Sequence, residues 1–392
     1  MKKGWQIKRI ADLCEVVNGG TPSTSMAEYW GGEHLWITPA EMGKRESPYA
    51  DNTERTLTNA GLRDSSARML PPYSVILSSR APIGHLVINT KPMSTNQGCK
   101  SLIPGSQLEH KFLYYYLSSI VDLLDSLGTG ATFRELSGSK LKEVPIPVPQ
   151  LAEQQRIVRV LDEAFAGLAT AQANAARNLQ NARALFESHL HSIFTQRGEG
   201  WVERTLADVC EISSTLIDPR EEQFLDLPHV GGANIESKTG ALVDLKTARE
   251  EKLISGKFLF DESTVLYSKI RPYLMKVARP DFRGLCSADI YPLTPKIGQV
   301  DRGYLFHLLL SKKFTNYVNI GSARAGMPKV NREHLFAYGT LFPPETKQKE
   351  LAADLDTFAA ETQRLARLYE QKLAALADLK KSLLHQAFSG NL

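Results

Sequence analysis

The chain has little of what an enzyme needs to do chemistry unaided. Its 392 residues hold only four cysteines, Cys14, Cys99, Cys210 and Cys286. None forms a C-x-x-C pair or a zinc-ligand spacing, so a cysteine-held metal centre and a redox pair are both excluded. Cys14 and Cys210 are flanked by apolar residues and read as small buried hydrophobes. No phosphate-binding loop of the Gly-x4-Gly-Lys-Ser/Thr type occurs, which argues against ATP hydrolysis. Gly128-Thr-Gly-Ala-Thr132 lacks the lysine and the following helical pattern, and reads as a turn. Leu70-Pro-Pro-Tyr73 mimics the amine-binding motif of amino-methyltransferases, but Leu70 stands where that chemistry needs a polar acceptor. A glycine-rich cofactor loop after a strand is missing too. The histidines are scattered; His189, His191 and His385 lie in helical segments and suit structural or interface roles better than metal ligation. The expectation is no catalytic residue, no metal and no cofactor on this chain. No run approaches the roughly 18 apolar residues of a membrane span, and Met1-Lys-Lys-Gly-Trp5 has no apolar signal core. A cytoplasmic, thiol-reduced protein is expected.

What is present is a statement made twice. Trp5-Gln-Ile-Lys-Arg-Ile-Ala-Asp-Leu-Cys-Glu15 returns as Trp201-Val-Glu-Arg-Thr-Leu-Ala-Asp-Val-Cys-Glu211. Val75-Ile-Leu-Ser78 returns as Val265-Leu-Tyr-Ser268, with Pro82 matching Pro272. Ser188-His-Leu-His-Ser-Ile-Phe194 is mirrored by Ser382-Leu-Leu-His-Gln-Ala-Phe388. So long a period exceeds the 20–50 residues of a solenoid unit and signals a duplicated domain-plus-helix module.

Turn-rich, mixed segments alternate with helical ones. Residues 1–150 and 198–345 carry short β-type runs, with Pro145-Ile-Pro-Val-Pro149 and Phe342-Pro-Pro344 closing each. Residues 151–197 and 346–392 are helical. In the first, Leu161, Leu168, Ala175, Ala182 and His189 recur every seven residues, with Phe165, Gln172, Leu179, Phe186 and Ile193 as the partner position. The second offers Leu355, Thr362, Tyr369, Leu376 and Leu383 with Ala359, Ala366, Leu373, Lys380 and Ala387. Neither stripe can hide alone, so the two are expected to pair as an antiparallel coiled coil. At 1.5 Å per residue such a rod runs to about 60–65 Å. The expected fold is α+β: two similar mixed α/β domains separated by two long paired helices, with a pseudo-two-fold internal repeat.

The net charge of +4 hides a polar distribution. Residues 265–332 hold twelve Lys/Arg against three Asp/Glu; residues 198–264 hold seven against fourteen. This fits either a basic face suited to a polyanion with an acidic one averse to it, or simply a mixed solvated surface.

Together these residues resemble the specificity subunit of type I restriction–modification systems. The resemblance rests on Val17-Asn-Gly-Gly-Thr-Pro-Ser-Thr24, Tyr29-Trp-Gly-Gly32, Leu35-Trp-Ile-Thr38, Ser78-Ser-Arg-Ala-Pro-Ile-Gly84 and Asn96-Gln-Gly98. Pro147-Val-Pro-Gln-Leu-Ala-Glu-Gln-Gln-Arg-Ile-Val158 and Ser382-Leu-Leu-His-Gln-Ala-Phe-Ser-Gly390 complete it, so that it covers essentially the whole chain. The second half departs: it has no Gly-Gly-Thr-Pro counterpart, and Thr346-Lys-Gln-Lys replaces the Glu-Gln-Gln-Arg run. The resemblance implies a non-catalytic subunit with two target-recognition domains, bound to double-stranded DNA with a bipartite site. It implies two modification (methyltransferase) subunits docked on the helices, S-adenosylmethionine on those partners, and restriction/translocase subunits in a full complex.

Base reading uses bidentate groups, Arg or Lys for guanine and Asn or Gln for adenine. The candidates in the first domain are Thr21, Arg45, Arg80, Asn96, Gln97, Lys100 and Arg134, the last for phosphate. Asn96 equally suits a turn-stabilising side chain. In the second domain they are Lys269, Arg271, Tyr273, Arg324 and Lys329. Two other classes stay open: a scaffold that reads no bases, and an enzyme of unrecognised chemistry.

Overall fold

The computed structural model describes residues 4–130, 134–212, 214–322 and 328–392. The chain divides into two compact units, Met1–Ala175 with Gln371–Leu392, and Ala176–Glu370. The long helices Leu151–Thr195 and Glu345–Ser389, 45 residues each, therefore give one stretch to either unit.

Within each unit the two stretches run antiparallel. In the first, Arg156 Nη2 donates to Leu392 O at 2.8 Å, and Lys380 Nζ lies 5.3 Å from the Phe165 ring centroid. In the second, Arg183 meets Glu370 at 2.7 Å and His189 Nε2 lies 3.1 Å from Asp354. Leu161, Leu168, Ala175 and Ala182 are all buried, as the seven-residue seam demands. Two polar residues of the seam are thereby accounted for. Lys380 lays its cation over Phe165, and His189 packs its ring 4.6 Å from that of Phe358.

Two sheets stand in each unit besides a two-stranded ribbon. In the first unit the larger sheet runs Cys14–Asn18, Cys99–Pro104, Val75–Ser79, Ile83–Asn89, Tyr49–Ala50. The smaller runs Arg55–Leu57, Trp30–Ile37, Met93–Thr95. The second unit matches these with Cys210–Glu211, Ile290–Pro295, Val265–Ser268, Val277–Ala278, and with Leu216–Ile217, Lys257–Phe260, Gly284–Cys286, Pro228–Val230, Lys246–Thr247. A parallel pair recurs in both: Trp30–Ile37 with Met93–Thr95, and Pro228–Val230 with Gly284–Cys286.

The central strand explains the apolar echo between halves. Side chains alternate faces along a strand. Val75 and Leu77 enter the core that also holds Phe112, Leu161 and Leu384, while Ile76 enters a second core with Ile37, Met42 and Val87. Val265 and Tyr267 face one core and Leu266 another in the same way. A strand covered on both sides has to be apolar throughout.

The repeated aspartates have a local cause as well. Asp12 Oδ2 accepts the Arg9 amide at 2.9 Å, and Asp208 Oδ2 accepts the Thr205 amide at 2.7 Å. Each closes a capping box on a one-turn helix, Ile10–Leu13 or Leu206–Val209. All four cysteines are free and buried. Burial pushes the Cys14, Cys99 and Cys210 thiols up to about 12, so none is a nucleophile near neutrality.

Candidate nucleic-acid interface

Two turns meet beside the central strand of the first unit. One is Arg80-Ala81-Pro82, between Val75–Ser79 and Ile83–Asn89; Ala81 sits in left-handed backbone, φ 48°. The other is Asn96-Gln97-Gly98, between Met93–Thr95 and Cys99–Pro104. They are tied by Ser79 N donating to Gly98 O at 2.8 Å. A third segment joins when Leu136 N donates to Ser79 O at 2.9 Å, placing Glu135 opposite Arg80 in a β-bridge.

Glu135 is thus held between two cations. Arg80 Nη1 is 3.9 Å from one of its oxygens and Lys100 Nζ 3.8 Å from the other. Lys100 threads a buried stem to reach it, whereas Arg80 is half-buried. Among the described residues the Arg80 guanidinium makes no hydrogen bond, which leaves its donors for a ligand. Gly98 keeps this spot uncrowded: a Cβ would lie 3.1 Å from Arg80 Nε and 3.2 Å from Pro39 Cγ, so these side chains would have to give by a few tenths of an ångström.

The second unit builds the same frame from other side chains. Lys269 N donates to Asp289 O at 3.1 Å and Val330 N to Lys269 O at 2.9 Å, the counterparts of the Ser79 bonds. Position for position, Lys329 replaces Glu135, Asp289 replaces Gly98, Tyr291 replaces Lys100 and Arg271 replaces Ala81. Arg271 keeps the left-handed backbone, φ 50°, again immediately before proline. The result is once more one carboxylate between two cations, Asp289 at 3.8 Å from both Lys269 Nζ and Lys329 Nζ. Lys269 also bonds Ala288 O and lies 5.1 Å from the Tyr291 ring centroid. Its pKa is pushed down, first by burial and then by Lys329, against a smaller lift from Asp289.

The structure sorts the sequence candidates. Asn96 is the turn stabiliser: its Oδ1 accepts Gly98 N at 2.8 Å and its Nδ2 donates to Thr21 Oγ1 at 3.0 Å. Thr21 also accepts Gln97 N at 3.4 Å, so both of these candidates shape the turn, and Gln97 is left exposed at its tip. Gly19 and Gly20 let this happen, because a Cβ on either would lie within 1.9 and 2.2 Å of backbone at Asn96 and Ala67. Arg45 lies elsewhere in role. Its Nη2 is committed to Glu41 at 2.7 Å and to Asn52, and its Nε is buried; an internal ion pair removes it from the reading set. Arg134 is exposed and paired with Asp125 at 2.9 Å. Arg271 and Tyr273 are exposed, flanking Pro272. Arg324 lies outside the described residues.

Glu135 and Asp289 carry no sequence signal, because only the bridge Arg80↔Glu135 and the Lys269–Asp289 backbone bond bring each carboxylate beside its cations. Arg55 carries none either. Only the register Trp36↔Arg55 brings it onto the Trp30 ring, 3.5 Å from the centroid.

The architecture and its paired turns define a duplicated recognition protein in which two similar frames carry different polar side chains. The model of the type I restriction modification DNA specificity domain matches residues 2–176 and 198–372, and the chain belongs to that family. It is 42% identical over 161 residues to the type I restriction enzyme MjaIX specificity subunit of Methanocaldococcus jannaschii, covering 41% of this chain and 37% of that one. It is 27% identical over 321 residues to the EcoDI specificity subunit of Escherichia coli, covering 73% and 70%. Among solved structures, the HsdS subunit from Thermoanaerobacter tengcongensis superposes with a TM-score of 0.62 at 17% identity, covering 100% and 98% of the two chains. A chain from a structure titled for complex assembly and conformational transition of the type I R-M system gives 0.79 at 16%, covering 100% and 99%. These likenesses establish the shared fold. Among the described residues no helix is long and apolar enough to cross a membrane.

Proposed function

We propose that this chain is the sequence-reading, non-catalytic subunit of a DNA-modifying complex, with each unit reading one half of a bipartite duplex target. The observation that carries the reading is the twin cluster, Arg80–Glu135–Lys100 and Lys269–Asp289–Lys329. One backbone frame presents two cations and one acceptor in both units, while the side chains differ. Cations supply affinity for phosphate, and fixed donors and acceptors discriminate base edges. Changing the side chains on a constant frame is how two copies of one module come to prefer different half-sequences.

Arg80, Lys100, Lys269, Arg271 and Lys329 are the donors in this reading, with Gln97 and Tyr273 at the turn tips. Arg134 serves the phosphate backbone, Arg324 stays a further candidate contact, and Thr21 and Asn96 hold the first turn in shape. The paired helices set the gap between half-sites and dock two modification subunits, which carry S-adenosylmethionine and methylate the DNA; restriction/translocase subunits complete the assembly in the cytoplasm.

The test is co-expression with the cognate modification subunit, followed by methylation mapping of the host genome. A bipartite motif with a constant gap is expected. Methylation without sequence preference would make the chain a scaffold, and methylation by the purified chain with S-adenosylmethionine alone would make it an enzyme.

A further inference from the structure

Arg9, Arg45, Arg63, Arg68, Arg80 and Arg134 all lie within 4.0 Å of a carboxylate. Arg55, the remaining arginine of residues 1–150, has no ion pair and no side-chain hydrogen bond among the described residues. Its neighbour Glu54 is drawn off by Lys44 at 3.2 Å. Yet Arg55 is not loose. Its Cζ lies 3.5 Å from the Trp30 ring centroid and 5.6 Å from that of Trp36, and the two indoles meet edge to face at 5.0 Å.

Both indoles are anchored in turn. Trp30 Nε1 donates to Ser23 O at 3.1 Å, and buried Trp36 donates to Gly20 O at 2.9 Å, one residue before Thr21. The strand pairing leads to the same place. Arg55 stands opposite Trp36, and on the other side of that strand Ile37 stands opposite Thr95, just before the Asn96-Gln97-Gly98 turn. An exposed guanidinium is thus immobilised on an aromatic face, its donor edge unused, on the sheet that carries the candidate reading turn.

We infer that Arg55, clamped by Trp30, reads a guanine in the half-site of the first unit; the inference rests on the DNA-reading function proposed above. A stacked guanidinium presents a planar fork whose natural partner is a coplanar acceptor pair, guanine O6 and N7 or two phosphate oxygens. The clamp favours the base. A phosphate contact tolerates a mobile cation, whereas a base edge rewards a donor pair already held in plane.

The second unit supports a role confined to one half-site. There the strand pair is His229↔Lys246, so a lysine replaces Arg55 and a buried histidine bound to Glu251 at 2.8 Å replaces Trp36. No stacked fork exists at that position.

The experiment uses the full chain assembled with its modification subunits and the target mapped for the wild-type complex. Binding is then measured against duplexes substituted singly at every position, for Arg55→Lys, Arg55→Gln and Lys246→Gln. Arg55→Lys keeps the charge and loses the fork. It should reduce discrimination at one G·C pair of one half-site by roughly 5- to 150-fold, the other half-site being untouched. Arg55→Gln should do the same, and Lys246→Gln should leave that half-site unaltered. A first half-site with no G·C pair overturns the inference. So does a uniform loss on all sequences with the salt slope lowered by about one, which marks a phosphate contact. Unchanged discrimination in both Arg55 variants overturns it as well. A wild-type complex with no base preference anywhere instead refutes the underlying function, so the two failures are distinguishable. Intact discrimination at the second half-site shows that each variant is folded.

Discussion

Gln154 and Gln348 hold the same post in the two units. The Gln154 oxygen accepts Glu109 N at 2.9 Å while its nitrogen donates to Pro149 O at 2.9 Å and Gln107 O at 3.0 Å. The Gln348 oxygen accepts Asp301 N at 2.8 Å, and its nitrogen reaches Pro343 O at 2.9 Å and Gln299 O at 3.4 Å. Each is buried in the first turn of a long helix. Each ties that helix to the residue capping a helix of the globular part, Glu109 for His110–Ser119 or Asp301 for Arg302–Leu309. The apparent loss of the Glu-Gln-Gln-Arg run in the second half is therefore a change around a retained glutamine.

Removing such a clamp strands buried backbone groups, each worth about 1–3 kcal/mol when left unpaired. Gln154→Leu should destabilise the protein by roughly 2–4 kcal/mol, read from chemical unfolding at equilibrium. A loss under about half a kcal/mol would mean that water takes the place of the amide.

Arg80 and Arg45 should separate function from stability. Arg80→Ala is expected to relax recognition of one half-site by about 1–3 kcal/mol, with assembly on the methyltransferase intact. Unchanged affinity for every half-site variant would remove Arg80 from the reading set. Arg45→Ala should instead leave buried Glu41 without its partner and cost stability, roughly 3–5 kcal/mol, with discrimination preserved.

The helices make a prediction about length. Inserting four residues, about one turn, into both stretches should lengthen the gap between half-sites in a methylation map. An unaltered gap sinks the idea of a ruler.

A histidine makes one about pH. His307 is buried, with Nε2 2.8 Å from Asp356, which also takes Arg279 at 3.0 and 2.9 Å. Burial pushes the His307 pKa below its ordinary 6.5, outweighing the lift from Asp356. Burial would raise the Asp356 pKa, but the bonds from His307 and Arg279 bring it below 3.8. A protonated His307 would carry a second buried N–H, at Nδ1, which has no partner among the described residues. With a folded pKa below the unfolded one, stability is full above about pH 6.5 and is lost as pH falls through the lower folded value. His229, also shifted down by burial, adds to the loss. The melting temperature should therefore fall between pH 7 and pH 5, and fall less in His307→Gln. An equal fall in the variant would clear His307. At the corresponding place the first unit has no histidine: Tyr115 bonds Asp162 there, and burial pushes the Tyr115 hydroxyl further up.

Much was legible before the fold was known, because the signals are local or periodic. The repeat of whole segments disclosed two modules, since echoing motifs need no geometry to be seen. The seven-residue stripe from Leu161 to Ala182 disclosed the helix pair, since an apolar stripe must find a partner. The region of Arg80 was marked by its proline turn. By contrast, Arg45 and Asn96 are distinguished from Arg80 only by what stands opposite them. Asn52 and Glu41 claim the first, Thr21 and Gly98 the second. Neither relation has a sequence signature.

The amino-acid order by itself determined a duplicated α+β chain with two long amphipathic helices, because periodicity and local turn chemistry act over a few residues. Only the tertiary structure decided which cations are free and which are spent, and that Glu135 and Asp289 stand in equivalent clusters though they are not equivalent positions. It alone laid Arg55 upon Trp30. Those outcomes depend on strand register and on contacts between residues far apart in the chain, where charge and hydrogen-bond partners are assigned by position in space.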